Sequence, residues 1–153
     1  MGSAILGAGC VFSCDIDCDA LNICKENFND FEIANSELLL CDVSKLSDES
    51  NSHLHKRFDT VLMNPPFGTK HNWGLDMLFL KSGLALAKTA VYSLHKTSTR
   101  DHILKKAADW GVKATVFAQL RYDLKGGKYK HHKKQVVDIE VDFYRFEVPK
   151  SNN

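Results

Sequence analysis

No apolar run in this chain approaches the ~20 residues that a membrane-spanning helix needs, so a helical membrane protein is not expected. No basic stretch precedes the first apolar residues, which argues against a secretory signal. The opening Met1-Gly2-Ser3-Ala4-Ile5 is followed by Leu6, not by the Ser or Thr that N-myristoylation requires. Cys10, Cys14, Cys18, Cys24 and Cys41 form no C-x-x-C pair and have no histidine near them. Neither a metal centre nor a disulfide framework is expected from that odd set, and reduced thiols are the default reading. There is no internal repeat and no linker within the 153 residues. The expectation is one domain over 1–148 and a disordered tail over 149–153.

What is present is ordinary for a globular protein: 44% hydrophobic and 25% charged residues, enough for one core. The net charge of +1 is unevenly spread. The run from Lys125 to Lys134 holds five lysines and no acid, which leaves the rest of the chain net acidic. An acidic body with one basic loop is a footprint for a polyanion such as RNA, with Lys125, Lys128, Lys130, Lys133 and Lys134 as the contacts. A solvated surface loop is the alternative.

Helical and strand patterns alternate, which predicts an α/β fold with a mostly parallel sheet. Strands are expected at Cys10–Ile16, Glu37–Cys41, Phe58–Met63, Thr89–Leu94, Lys113–Arg121 and Val136–Phe146. Helices are expected at Asp19–Phe31, with Asp19 as N-cap, and at Leu75–Lys88, with Leu80, Leu84 and Ala87 on one stripe. A third begins at Ser98, with Asp101 echoing a capping box, and stops at Gly111. Ser44–Arg57 reads as a loop or short helix. The last strand sets Val137, Ile139, Val141 and Phe143 against Asp138, Glu140 and Asp142, which suggests an antiparallel edge region.

The most informative run is Asn64-Pro65-Pro66-Phe67, directly after the strand Phe58–Met63. An exocyclic amino group on a heteroaromatic base is a poor nucleophile, because its lone pair is delocalised into the ring. Two acceptors can bind its two N–H groups and turn the lone pair toward a methyl donor. The Asn64 side-chain oxygen and the Pro65 carbonyl are such a pair. The prolines fix the turn and offer no competing N–H, and Phe67 can stack on the base. The bland reading of Pro65-Pro66 is a rigid turn that ends a strand.

In doubly wound folds ligands sit at the carboxyl ends of the strands, where an acid can bind ribose hydroxyls. Asp15 fits that role. Asp42, beside the Val43 backbone, fits an acceptor for an adenine amino group. N-capping or turn formation is the alternative for each.

The residues Asp15-Ile16-Asp17, Cys41-Asp42-Val43 and Met63-Asn64-Pro65-Pro66-Phe67-Gly68-Thr69-Lys70 together resemble the class I S-adenosylmethionine-dependent methyltransferases. The segments Ala90–Lys96, Leu120–Leu124 and Val137–Asp142 narrow this to the methyltransferase-like protein 5 group. Asn-Pro-Pro-Phe alone would leave DNA adenine and protein glutamine methyltransferases open. The resemblance covers nearly the whole chain. It implies a Rossmann-like sheet with helices on both faces and N6-adenosine methylation of small-subunit ribosomal RNA. Asn64, Pro65, Pro66 and Phe67 would be catalytic, and Asp15, Asp42, Val43 and Asn64 would contact S-adenosyl-L-methionine. It also implies a small zinc-binding activator subunit as partner, and nuclear and cytoplasmic placement.

The family's glycine-rich D-x-G-x-G loop and first strand have no match here. Gly2, Gly7 and Gly9 resemble only the turn that follows that loop's helix. In the strand order that the resemblance implies, 3-2-1-4-5-7-6, the first strand is central. Without it strands 2 and 4 each keep an unpaired edge. Unpaired buried backbone groups cost roughly 1–3 kcal/mol each, against a total stability of ~5–15 kcal/mol. The expectation is therefore a fragment or shortened isoform, marginally folded and weak in cofactor binding. A catalytically inactive remnant that keeps RNA or partner binding is the alternative function. The apolar strand Glu37–Cys41 should lie at a sheet edge, where the activator subunit could add a strand.

Overall fold

The computed structural model describes residues 1–66, 74–124 and 137–149. Phe67, the segment Lys125–Lys134 and residues 150–153 lie outside the described residues. The chain divides into two compact units, Met1–Lys45 and Leu46–Asn153.

The first unit holds α1 (Gly2–Ile5), β1 (Val11–Asp15), α2 (Cys18–Asp30) and β2 (Ser36–Leu40). The strands β1 and β2 pair in parallel, from Val11 opposite Ser36 to Asp15 opposite Leu40. The N-cap of α2 is Asp17, not Asp19: one Asp17 carboxylate oxygen accepts from the Asp19 N–H at 2.8 Å and the Ala20 N–H at 3.3 Å. Asp19 instead sits in the first turn, where its charge favours the helix dipole. The helix ends in a Schellman turn, with Ile33 N–H on the Phe28 carbonyl at 2.8 Å and Glu32 N–H on the Asn29 carbonyl at 3.0 Å. Glu32 takes the left-handed position, φ 52°, that glycine usually fills.

The second unit holds β3 (Phe58–Met63), α3 (Leu75–Leu86), β4 (Ala87–Lys96), α4 (Arg100–Asp109), β5 (Lys113–Leu124) and β6 (Val137–Glu147), in the sheet order β3-β4-β6-β5. The strands β3 and β4 are parallel, and β6 runs antiparallel to both its neighbours. Ser44–Arg57 is built of two 3-10 pieces, Val43–Lys45 and Glu49–Leu54, joined by turns.

Leu80 of α3 and Ile103 and Ala107 of α4 pack on Val91, Tyr144 and Phe146. Each of these is 2% exposed or less, so this is where apolar area leaves water. Gly83 lets α3 approach β3 closely: a Cβ there would lie 2.6 Å from the Met63 methyl carbon. That contact seats the residue just before Asn64.

Three further expectations need correction. Ala87 does not continue the stripe of α3; it turns extended (φ −77°, ψ 140°) and opens β4 opposite Phe58, because parallel pairing with β3 outweighs helix propensity. Ser98 does not cap α4. It lies in a 3-10 turn, Thr97–Thr99, and α4 starts at Arg100 without a side-chain cap. The Thr97 and Thr99 hydroxyls are used elsewhere, on Asp142 and on the Lys96 carbonyl. Last, β6 is antiparallel but lies inside its sheet; on its polar-reading face Glu140 is exposed, while Asp142, Tyr144 and Phe146 are at 0% exposure.

Gly111 does stop α4. At φ 67° it lets Val112 N–H reach the Ala107 carbonyl at 2.8 Å and its own N–H reach Ala108 at 2.9 Å. Among the described residues β1 pairs only with β2, and β3 only with β4, so each leaves one edge of its own sheet unpaired. No described helix is long and apolar enough to cross a membrane.

Candidate active site

Asn64, Pro65 and Pro66 follow β3, whose last registered pair is Met63 opposite Ser93. Asn64 and Pro66 are exposed, while Pro65 is buried. A buried proline between two exposed residues anchors the turn and leaves the Asn64 amide facing solvent. Proline has no N–H to leave unsatisfied in that buried position.

In the first unit the two acids end adjacent parallel strands. The Asp15 backbone carbonyl accepts from the Cys41 N–H at 2.9 Å, which joins the two strand ends. One Asp15 carboxylate oxygen accepts from the Asp17 N–H at 3.0 Å, and the side chain is exposed. Asp42 is more committed. Its Oδ1 accepts from the Ser44 hydroxyl at 2.6 Å and the Ser44 N–H at 3.0 Å, and its Oδ2 lies 3.3 Å from the Lys45 ammonium. These donors, the Ser44 hydroxyl foremost, hold its carboxyl below the usual carboxylate range, so it is ionised at neutral pH. Val43 opens the 3-10 turn that Asp42 braces.

Two groups were not read as site residues in the sequence. Cys14 and Cys41, each one residue before an acid, interact through their thiols. Burial, then the neighbouring Cys41, pushes the Cys14 thiol up to about 11. Burial raises Cys41 too, with the hydrogen bond from Cys14 partly opposing and the Asp42 and Asp15 carboxylates adding to the rise. Both thiols are therefore protonated at neutral pH.

The other group is a buried polar layer at the carboxyl end of β4. Asp142 accepts from Arg100 Nε and Nη2, both at 2.7 Å, from the Thr97 hydroxyl at 2.9 Å and from the Tyr144 hydroxyl at 3.1 Å. Arg100 foremost holds the Asp142 carboxyl below its usual range. Opposite Asp142 in register is His95, 1% exposed. Alternation in β4 was the available signal: Val91, Ser93 and His95 share one face, and two of these three are polar.

Parallel strand pairs, one antiparallel strand beside the last of them, and acids and an Asn-Pro-Pro turn at strand carboxyl ends define a class I, Rossmann-like methyltransferase. No family profile matches the chain. It is 56% identical over 146 residues to the rRNA N(6)-adenosine-methyltransferase METTL5 of Danio rerio, covering 95% of this chain and 68% of that protein. It is 49% identical over 148 residues to the rRNA N(6)-adenosine-methyltransferase Mettl5 of Drosophila melanogaster, covering 97% of this chain and 68% of that protein. The crystal structure of PH1948 from Pyrococcus horikoshii, described as a candidate RNA methyltransferase, superposes with a TM-score of 0.76 at 27% identity, covering 99% of this chain and 68% of that one. The chain belongs to the METTL5 family of S-adenosylmethionine-dependent RNA methyltransferases.

Proposed function

We propose that this chain transfers a methyl group from S-adenosyl-L-methionine to N6 of an adenosine in small-subunit ribosomal RNA. The observation that carries the reading is Asn64: an exposed amide at the carboxyl end of β3, on a turn anchored by the buried Pro65. The names of the relatives support the reaction and the RNA class.

The residues present fit the cofactor. Asp15 and Asp42 end neighbouring parallel strands, and carboxylates accept from ribose hydroxyls and from an adenine amino group. Asp15 is exposed and suits the ribose, while Asp42, already ionised and braced by Ser44, suits the adenine amino group beside Val43. Bound S-adenosyl-L-methionine supplies an electrophilic methyl group on a sulfonium. The chain's own residues prepare the acceptor. Asn64 Oδ1 and the Pro65 carbonyl accept the two N6 hydrogens, which orients the nitrogen lone pair. Pro66 adds no competing donor, and Phe67 stacks on the extruded base.

Lys125, Lys128, Lys130, Lys133 and Lys134 hold RNA phosphates, which makes binding salt-dependent. A small zinc-binding activator subunit docks on or near β2, where Leu39 and Leu40 are 38% and 58% exposed. Nuclear and cytoplasmic placement follows from the same reading.

The test is methyl transfer to ribosomal RNA by this chain with the activator, against Asn64→Ala. Transfer that falls by about 100-fold or more in the variant supports the reading, which is the scale of losing one aligned acceptor or donor. Equal transfer by both proteins removes Asn64 from catalysis. No transfer by either makes the chain a binding remnant.

A further inference from the structure

A buried histidine that the reaction above does not use stands beside the candidate site. His95 is 1% exposed and Ser93, two residues earlier on the same face of β4, is 0% exposed. The ring packs edge-on to Tyr144 at 5.6 Å and to Phe146 at 6.2 Å. Its Nε2 is 2.9 Å from the Ser93 hydroxyl. Its Nδ1 is buried without a hydrogen bond among the described residues, and faces Asp76 Oδ2 at 3.7 Å. Among the described residues, the charged and titratable groups around the ring are Asp76 from α3 and Asp142 and Tyr144 from β6. Asp142 is already saturated by Arg100, Thr97 and Tyr144. The His95 ring holds the Asp76 carboxyl below its usual range, so Asp76 is ionised. An ionised Asp76 favours the proton on Nδ1, and Nε2 then accepts from the Ser93 hydroxyl.

Such a layer is unfavourable in a core. Apolar residues of equal volume would avoid the desolvation of three polar side chains. Its placement indicates what offsets that cost. Met63 pairs with Ser93, so the residue before Asn64 lies beside one end of the chain of polar groups. Asp76 lies in the first turn of α3, so the other end holds the next helix. The neighbouring Asp142 does the same for Thr97 and Arg100, at the start of the segment that follows β4. Each buried polar group at the carboxyl end of the sheet thus ties down an element that leaves a strand end, where ligands bind in open α/β folds.

We propose that Asp76, His95 and Ser93 form a positioning chain for the Asn64-Pro65-Pro66 turn, setting the amide of Asn64 for the amino group it orients. The proposal rests on the catalytic reading of Asn64 given above. Asp76 and His95 touch no substrate. They act through the start of α3 and through β4. Displacing the turn by about 1 Å would lower turnover up to about 100-fold while every group that touches the substrate stays in place chemically.

The test uses the full chain with its activator and the variant Asp76→Asn, which keeps size and removes the charge. The expected result is a kcat lowered about 10- to 100-fold, KM values for RNA and S-adenosyl-L-methionine changed less than about twofold, and shifted Asn64 side-chain NH2 resonances in the nitrogen–proton spectrum. Asp76→Glu, whose longer arm can close the 3.7 Å gap, restores most of the kcat. Unchanged kcat with unchanged Asn64 resonances overturns the proposal, as does a loss of kcat that only tracks a loss of folded protein. If Asp76→Asn fails to fold, the wild-type histidine nitrogen spectrum decides: an Nδ1–H tautomer for His95 supports the chain, and an Nε2–H tautomer overturns it. Failure of the catalytic reading is separate and shows as full methyl transfer by Asn64→Ala, while the resonance and tautomer results still stand or fall alone.

Discussion

Replacing Tyr144 by Phe isolates one hydrogen bond in the buried polar layer. Tyr144 is 0% exposed, and its hydroxyl donates to Asp142 Oδ2 at 3.1 Å. The ring stacks on Phe146 at 5.4 Å and touches His95, interactions that Phe keeps, so no cavity opens. A hydrogen bond to a charged acceptor contributes roughly 1.5–3 kcal/mol. Here the lower end applies, because the bond is long and Asp142 keeps Arg100 and Thr97, so the expected loss is about 1–2 kcal/mol. For a unit of this size that is a fall of about 4–8 °C in melting midpoint. The effect must also depend on pH. Arg100 first, with Thr97 and Tyr144, holds the folded Asp142 carboxyl below its ordinary value of 3.8. A depressed carboxyl stabilises the fold above its unfolded pKa, and this is lost as pH falls through the folded value. Because Tyr144 donates to the ionised form, the gap between wild type and variant should narrow on acidification. Urea unfolding followed by tryptophan fluorescence, at about pH 7 and at successively more acid pH below 3.8 until the folded Asp142 carboxyl titrates, measures both. A gap below ~0.5 kcal/mol at neutral pH, the scale of an ordinary surface substitution, would refute the reasoning. So would a gap that stays constant at low pH.

Other outcomes are expected. Gly111→Ala should lower stability by about 1 kcal/mol, since at φ 67° a Cβ meets strain rather than a neighbour. Glu32→Gly, in the same turn position after α2, should leave stability unchanged or raise it by up to about 1 kcal/mol; a marked loss in thermal melting would contradict the reading of both turns. Changing the five lysines of Lys125–Lys134 to Gln should weaken RNA binding and flatten its salt dependence, by up to about 0.7 in log–log slope for each phosphate no longer neutralised. An unchanged slope removes that segment from the RNA interface. Leu39→Lys should abolish co-purification with the activator subunit, and normal co-purification would move the docking site away from β2.

Much of this protein was legible in its sequence, for a physical reason. Strand and helix periods are local, so Phe58–Met63 and the start of α3 at Leu75 could be placed from side-chain pattern alone. The Asn64-Pro65-Pro66 turn was equally legible, because proline constrains its own backbone and that of the residue before it. The stop at Gly111 follows from one residue's freedom to adopt positive φ. Asp15 and Asp42 were placed at strand ends by the same local logic.

What tertiary structure decided were choices between competing partners. Asp17 rather than Asp19 caps α2, because capping depends on which carboxylate reaches two N–H groups. Ala87 joins a strand because β3 lies ready to pair with it. The alternation in β6 suggested an edge region, yet the strand lies between β4 and β5, and Arg100 pairs with its buried Asp142. Above all, nothing in the spacing of Asp76, Ser93 and His95 reveals that they meet. Sequence could place Asn64-Pro65-Pro66 at the end of β3. Only the register of β3 on β4, and the packing of α3 over both, brings the part-buried Asp76 carboxylate within 3.7 Å of the buried His95 ring and its Ser93 partner.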